Sequence, residues 1–137
     1  MPSNEKYAGY FDGTVKVNGT VIATAVSTTS DERQKENIQE IPSYLSKNFN
    51  RLRPVSYTLK QDSVWKYDTD AKELQGVHYG LLAQEVEKVY PELVYKRGDN
   101  LSINYTELIP LLRMKVQELS AEIVSLKEQI KNDSTKL

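Results

Sequence analysis

The sequence has no cysteine and only one histidine, His78. Without cysteine the chain can form neither a disulfide framework nor a thiolate metal site. A single histidine has too few companions to build a zinc centre. We therefore expect the protein to use no metal and no cofactor.

The sequence also lacks an excess of positive charge, because 18 lysines and arginines face 19 aspartates and glutamates. Proteins that bind nucleic acid usually carry a basic excess or a basic stripe, and neither is present here. No apolar run approaches the ~20 residues of a membrane span. The first six residues lack the basic and apolar regions of a signal peptide. We expect neither nucleic acid nor a membrane as a partner.

A chain of 137 residues supplies one ordinary domain, or a small domain with extensions. Its patterns predict an α+β fold in three parts, of which the first, residues 1–29, is rich in β character. Within residues 7–26, Asn18-Gly19 is typical of a two-residue hairpin turn, since both turn positions need positive φ. One hairpin alone is marginal in water. We therefore expect residues 1–29 to need neighbours, which are either other chains or an upstream part of the same protein.

The second part, residues 30–105, reads as a small mixed domain. A charged, helix-permissive stretch at 31–40 is followed by a predicted helix at 43–52 and another at 82–89, each ending before a proline. Short strands are predicted at 55–59, 77–81 and 93–95, with a turn at 98–100. The polar stretch 60–75 holds Trp65 and reads as a loop or a β excursion. Its acidic residues match no known metal loop: Asp68, Asp70 and Glu73.

The third part is a helix at 106–131, followed by a tail at 132–137 that we expect to be disordered. Apolar residues recur along this helix with a period of 3.5 residues, with Ile or Val at each a position and Leu at each d position. These residues are Ile109, Leu112, Val116, Leu119, Ile123, Leu126 and Ile130. Thr106 is the expected N-cap, and Pro110 falls in the first turn, where it is tolerated. The pattern predicts a parallel coiled coil.

The sequence leaves open whether this helix forms a coiled coil and how many chains would join. The alternative to a coiled coil is an amphipathic helix packed on its own domain, although such helices usually show a wider apolar face. Three heptads are short, so the coil needs the rest of the domain to support it. As to the number of chains, β-branched a positions with Leu at d favour two strands. Glu122 at g and Lys127 at e could pair between parallel neighbours.

Ser30 and Lys35 stand five residues apart where the composition changes. A lysine that has lost its proton can act as the base that activates a serine. On a continuous helix the two side chains would point about 140° apart. They can meet only if Ser30 lies outside the helix, at or before its cap. The same letters also fit a purely structural start of a helix, with Ser30 or Thr29 as the N-cap and Asp31 in the first turn.

Four ordered blocks give the sequence a resemblance to a known family. Ser30-Asp31-Glu32-Arg33-Gln34-Lys35-Glu36-Asn37-Ile38 resembles the opening of the intramolecular chaperone domain that ends phage tailspikes and tail fibres, also called the S74 peptidase or endosialidase chaperone. The other three blocks are Leu-Arg-Pro-Val-Ser-Tyr at 52–57, Tyr-Gly-Leu-Leu-Ala-Gln-Glu-Val at 79–86 with Tyr-Pro-Glu-Leu-Val at 90–94, and Asn-Tyr-Thr-Glu-Leu-Ile-Pro-Leu-Leu at 104–112. The resemblance covers roughly residues 27–131.

The resemblance implies an intertwined homotrimer that templates the folding of an upstream fibre segment of the same polypeptide and then cuts itself off. It implies that Ser30 is the nucleophile, Lys35 the general base, and Thr29–Ser30 the scissile bond. Residues 1–29 would then be the end of the fibre stalk, and 106–131 the trimerisation helix. The implied place is a virion tail fibre or tailspike precursor made in the cytoplasm of a bacterial host, or a fibre protein encoded by a bacterium or prophage.

Three further residues are candidates for supporting roles. Asp31 is interpreted as a cap or an orienting group rather than a catalyst. His78 precedes the third block and could touch the cleavage site, but a structural or surface role is the preferred interpretation. Glu85 could support Lys35, bridge subunits or act as a cap. The alternatives for the whole protein are a non-cleaving trimerisation cap of a fibrous surface or tail protein, and a release module such as those that free membrane-tethered transcription factors.

Overall fold

The structure, a computed structural model, describes residues 6–60 and 72–136. The predictions for Trp65, Asp68 and Asp70 lie outside the described residues. Contacts divide the chain into two units. The first comprises Met1–Thr29 and Thr58–His78, and the second comprises Ser30–Tyr57 and Tyr79–Leu137.

Residues 6–29 of the first unit contain bends but neither a helix nor a strand. The predicted hairpin is therefore wrong for the single chain, and neither Asn18 nor Gly19 has the positive φ that its turn requires. A single hairpin without neighbouring strands has too little apolar surface to bury. The large apolar side chains here are correspondingly exposed: Tyr7, Tyr10, Phe11, Val15, Val17, Val21, Ile22 and Val26. In the same unit, Glu73 lies in a short 3₁₀ turn, Lys72–Leu74.

The ordered elements confirm a mixed α+β fold with a long final helix. Helix α1 spans Ser43–Asn48, strand β1 Val55–Tyr57, strand β2 His78–Gly80, helix α2 Ala83–Glu87, strand β3 Val94–Arg97, strand β4 Asn100–Ile103 and helix α3 Leu108–Thr135. Single 3₁₀ turns lie at Glu32–Gln34, Phe49–Arg51, Pro91–Leu93 and Tyr105–Glu107. Strands β1 and β2 form one two-stranded sheet, and β3 and β4 form another. No helix of the described part of the chain is long and apolar enough to cross a membrane.

Strands β3 and β4 make an antiparallel hairpin in which Val94 faces Ile103 and Arg97 faces Asn100. The turn between them contains Gly98, whose φ of 60° suits a residue without a side chain. Sequence analysis predicted the first strand and the turn but not β4. The returning strand has only two apolar residues among polar ones, which is too short a pattern to stand out from a loop.

The core of the second unit forms where α2, the hairpin and the start of α3 meet. Its buried apolar residues are Val86, Tyr90, Leu93 and Leu111. The partly buried residues packed against them are Leu45, Phe49, Leu52, Leu81, Val89, Val94, Ile103 and Leu108. The Tyr90 hydroxyl donates a 2.5 Å hydrogen bond to the carbonyl of Leu45, and burial raises the pKa of Tyr90. The helical stripe predicted at 43–52 faces this core, and so do Val86 and Val89 of the stripe predicted at 82–89. Leu82 does not, since it precedes α2 and is exposed.

Helix α3 uses one face for packing within the chain, and that face ends one third of the way along the helix. Leu111 and Lys115 are buried, and the Lys115 ammonium lies 3.5 Å from the carboxylate of Glu118. The same carboxylate accepts a hydrogen bond from the buried Ser46 hydroxyl of α1, which lowers the pKa of Glu118. Residues 119–136 are all exposed. About 25 Å of helix, at 1.5 Å per residue, therefore has no packing partner in the described chain.

Two boundary predictions for α3 are wrong. Thr106 is not its N-cap, because Thr106 lies in the preceding 3₁₀ turn and its hydroxyl donates to the side-chain oxygen of Asn104 at 2.6 Å. The helix begins at Leu108, which still leaves Pro110 in the first turn. At the other end, residues 132–135 are helical rather than a disordered tail. Polar side chains there sustain the last turn, since the Ser134 hydroxyl donates to the carbonyl of Ile130.

Gly80 in β2 offers a test of the packing under the third sequence block. A Cβ atom at this position would stand 2.8 Å from the Tyr105 hydroxyl, which is fixed because it accepts a hydrogen bond from the Leu81 amide. We expect Gly80→Ala to lower the free energy of unfolding by roughly 1–3 kcal/mol, since overpacking forces side chains or backbone to move. Urea unfolding at a fixed chain concentration measures the loss.

The matched control is Gly19→Ala, because a Cβ atom at Gly19 would meet nothing within 4 Å. The control should unfold at the wild-type urea concentration. Equal midpoints for the two variants would show that the contact at Gly80 does not constrain the fold.

Candidate active site

The structure brings Ser30 and Lys35 into direct contact. The Lys35 ammonium donates a hydrogen bond to the Ser30 hydroxyl oxygen at 2.7 Å. Ser30 precedes the 3₁₀ turn Glu32–Gln34, and Lys35 follows it in extended conformation, with φ −117° and ψ 145°. The serine thus lies outside the helical turn, which is the geometric condition that the spacing required. The helix-permissive stretch after it is limited to this one turn.

Asp31 is the N-cap of this turn, in agreement with one of the two roles that the sequence indicated for it. The alternative in which Ser30 or Thr29 is the N-cap is wrong. The Asp31 carboxylate accepts a hydrogen bond from the Arg33 amide at 2.9 Å. The Arg33 guanidinium also binds the carboxylate, with Nε 3.1 Å from Oδ1 and Nη2 2.7 Å from Oδ2. The guanidinium contact and then the amide contact lower the pKa of Asp31, and the positive charge of Lys35 adds to that effect.

The contact between Ser30 and Lys35 has the reach that proton transfer needs. A general base must lie about 2.6–3.2 Å from the atom whose proton it takes, and 2.7 Å falls within that range. Both side chains are exposed in the single chain, and so is Thr29. A neutral amine in this position could accept the hydroxyl proton, whereas a charged ammonium can only donate to the hydroxyl oxygen.

Glu85 lies in a separate ion pair rather than against Lys35. The Arg53 guanidinium contacts the Glu85 carboxylate, with Nη2 2.5 Å from Oε1, and this contact is the main cause that lowers the pKa of Glu85. The pair joins the second and third sequence blocks, at 52–57 and 79–86. His78 is half-buried at the start of β2. Its supporting role stays a prediction.

Sequence reasoning missed two arginines, Arg33 and Arg53. Arg33 could have been found from its position two residues after a candidate N-cap, where its amide and side chain can reach the same carboxylate. Arg53 had no such local signal, because its partner Glu85 stands 32 residues further along the chain. Among residues 6–60 and 72–136, no cluster of three His, Asp or Glu residues could hold a metal ion.

The predicted a/d seam forms an exposed apolar stripe along α3. Its exposed fractions run from 45% at Val116 and Leu119 to 67% at Ile130. The face that packs within the chain is a different one, formed by Leu108, Leu111, Lys115 and Glu118. The packing of α3 on its own domain therefore leaves the seam uncovered.

The segment that contains this site matches the model of a known protein family. A protein-family model described as Peptidase S74, chaperone of endosialidase, matches residues 30–95. The match begins at Ser30 and includes Lys35, α1, α2 and three of the buried core residues. A comparison with curated proteins found no match. The match covers just under half of the chain, and it supports the resemblance of residues 30–95 to the chaperone-of-endosialidase family.

Proposed function

We propose that the protein is an intramolecular chaperone that assembles as a homotrimer, supports the folding of an upstream fibre segment and releases itself by one self-cleavage at Thr29–Ser30. The observation that carries the proposal is the 2.7 Å contact between Lys35 Nζ and Ser30 Oγ, at the first residue of the family match. The sequence and family resemblance further suggest a phage tail fibre or tailspike, or a related bacterial fibre, as the parent protein.

The proposed cleavage is an acyl transfer within the chain. Neutral Lys35 takes the Ser30 hydroxyl proton while Oγ attacks the carbonyl carbon of Thr29. The bond between that carbon and the Ser30 nitrogen breaks, and the nitrogen takes a proton to become the new amino terminus. The resulting ester joins Thr29 to Ser30 Oγ. Water then hydrolyses the ester and leaves a carboxylate on Thr29 and a free hydroxyl on Ser30.

The division of the chain into units is consistent with this site. The first unit includes Met1–Thr29 and the second unit begins at Ser30, so one boundary between the units falls at the proposed scissile bond. Cleavage there would separate residues 1–29, which we assign to the end of a fibre stalk, from the chaperone domain at 30–105 and its helix. Removal of the folding template would leave the released segment kinetically trapped in its assembled state.

Assembly through α3 would give the chaperone its means of acting. The exposed seam needs neighbouring chains to cover it. The helix beyond residue 118, which packs against none of the described residues, needs them to become stable. A trimer would hold three copies of residues 6–29 together, with their exposed apolar side chains in reach of one another. That lowers the entropic cost of starting a long, non-local β fold.

A second candidate function, a trimerisation cap that does not cut, is favoured by one observation. Both Ser30 and Lys35 are exposed in the single chain. A lysine side chain acts as a base only where burial or a neighbouring cation favours its neutral form. If assembly does not provide such surroundings, the same fold would act as an assembly module alone.

Mass spectrometry of the purified 137-residue chain tests both parts of the proposal. Native mass spectrometry should give the mass of three chaperone domains. Intact masses under denaturing conditions should show a fragment that begins at Ser30 and its partner that ends at Thr29. A trimer with only uncut chains after prolonged incubation would contradict self-cleavage and support the cap. A monomer would contradict the assembly proposal.

A further inference from the structure

We infer that Asp31 and Arg33 form a positioning pair for the proposed self-cleavage: Asp31 fixes the turn that returns Lys35 to Ser30, and Arg33 keeps the Asp31 carboxylate from capturing the Lys35 ammonium. The inference rests on the proposed function, because it concerns the same serine and lysine. It assigns a role to a charged pair that is fully formed next to the site but does not contact the serine.

The chain conformation shows why the turn needs support. Five residues of extended chain would carry Lys35 roughly 17 Å from Ser30, and one 3₁₀ turn shortens that path enough for the side chain to return. A three-residue 3₁₀ turn has poor hydrogen-bond geometry and is weak alone. The turn Glu32–Gln34 buries no residue, so apolar packing does not hold it.

Asp31 supplies what apolar packing does not. Its carbonyl accepts a hydrogen bond from the Gln34 amide at 3.1 Å, and its carboxylate accepts one from the Arg33 amide at 2.9 Å. A third hydrogen bond, from the Lys35 amide to the Glu32 carbonyl at 3.0 Å, fixes the backbone position from which the lysine side chain extends. N-cap side chains stabilise a helical end by satisfying a free amide, which is significant for a single turn.

Arg33 acts on charge. Asp31 is the nearest carboxylate along the chain to Ser30, and the positive charge of Lys35 already acts on it. The guanidinium engages both carboxylate oxygens of Asp31, at 2.7 and 3.1 Å. A carboxylate held in this bidentate way has less to gain from a second cation. Without Arg33, the Lys35 ammonium could pair with Asp31 and leave the Ser30 hydroxyl.

Because Arg33 is exposed, its effect on the site can be distinguished from an effect on the stability of the fold. Its side chain is 88% exposed, and exposed ion pairs contribute little to the stability of a fold. Loss of Arg33 should therefore slow cleavage and leave assembly and unfolding unchanged.

The test is the rate of self-cleavage in four variants of the full chain. We expect Arg33→Met and Asp31→Ala each to slow cleavage roughly ten- to a hundredfold, the range that misplaced reacting groups produce. Asp31→Asn keeps an oxygen for the cap but no charge, so it should lose less than Asp31→Ala. In the double variant Arg33→Met with Asp31→Asn, the rate should recover towards that of Asp31→Asn, because no carboxylate remains to capture the lysine.

Arg97→Met is the matched control, since Arg97 is an exposed arginine at the end of β3. Wild-type rates in Arg33→Met, or a double variant as slow as Arg33→Met, would overturn the shielding role of Arg33. These outcomes differ from failure of the proposed function, in which the wild type itself stays uncut.

Amide hydrogen exchange in a Ser30→Ala background tests the cap without cleavage. Asp31→Ala should speed exchange at Arg33 and Gln34, whose amides bond to Asp31. Unchanged exchange there would overturn the role of Asp31 in holding the turn.

Discussion

Replacing Leu119 and Ile123 together by aspartate should convert the proposed assembly into monomers. The two side chains are 45% and 53% exposed on the single chain, and they occupy neighbouring d and a positions of the seam. Full burial of such a side chain contributes about 1.5–3 kcal/mol, of which assembly gains the share for the exposed half, and each substitution is repeated in every chain of the assembly. A carboxylate in the seam would in addition lose its hydration and face identical charges. Light scattering coupled to size exclusion measures the mass.

The matched control is Val124→Asp on the same helix. Val124 is 56% exposed, but it lies one residue after an a position and outside the seam. This variant should keep the wild-type mass. An assembly that survives in the Leu119 and Ile123 double variant would show that the seam is not the interface.

Circular dichroism of the double variant adds a second readout. Residues 119–136 have no packing partner among the residues that the structure describes, and isolated helices of that length are marginal in water. Their helical signal should fall when assembly is lost. The wild-type mass also decides between two and three chains, on which the heptads and the family resemblance disagree.

The contrast between α3 and residues 7–26 shows where sequence reasoning works. The seam was predictable because an apolar repeat and a helical backbone both depend on neighbours a few residues away. The hairpin at Asn18-Gly19 failed although its turn signal was strong. A strand pair becomes stable through contacts with further strands, and the single chain offers none among the described residues of that segment.

The candidate site divides in the same way. Spacing alone showed that Ser30 and Lys35 could meet only if Ser30 lay outside a helix, and the structure has that arrangement. The contact of Arg33 with the Asp31 carboxylate is equally local and could have been predicted from the sequence. The pair of Arg53 and Glu85 was not, because it depends on how two distant blocks pack. Strand β4 was missed because its two apolar residues indicate a strand only once their pairing with β3 is known.

Ser30→Ala and Lys35→Met should each abolish the proposed self-cleavage while leaving the proposed oligomer intact. The first removes the attacking oxygen, and the second keeps most of the side-chain length but removes the base that lies 2.7 Å from it. Where a nucleophile and its base act as one unit, losing either costs on the order of 10⁴-fold or more, and losing both costs little extra. The double variant should therefore cut no more slowly than the single ones.

Intact mass under denaturing conditions, followed over time, measures all three variants. Lys96→Met, at an exposed position of β3, is the control for loss of a lysine and should cut at the wild-type rate. The number of chains in the native assembly should be unchanged in every variant, since the exposed Ser30 and Lys35 contribute no buried surface to the core. The native mass of an uncut variant should exceed that of the cut protein by the retained residues 1–29. Cleavage at the normal rate in Lys35→Met would assign the base to another group. Cleavage at Thr29–Ser30 in Ser30→Ala would exclude the serine as nucleophile and with it the acyl-transfer route.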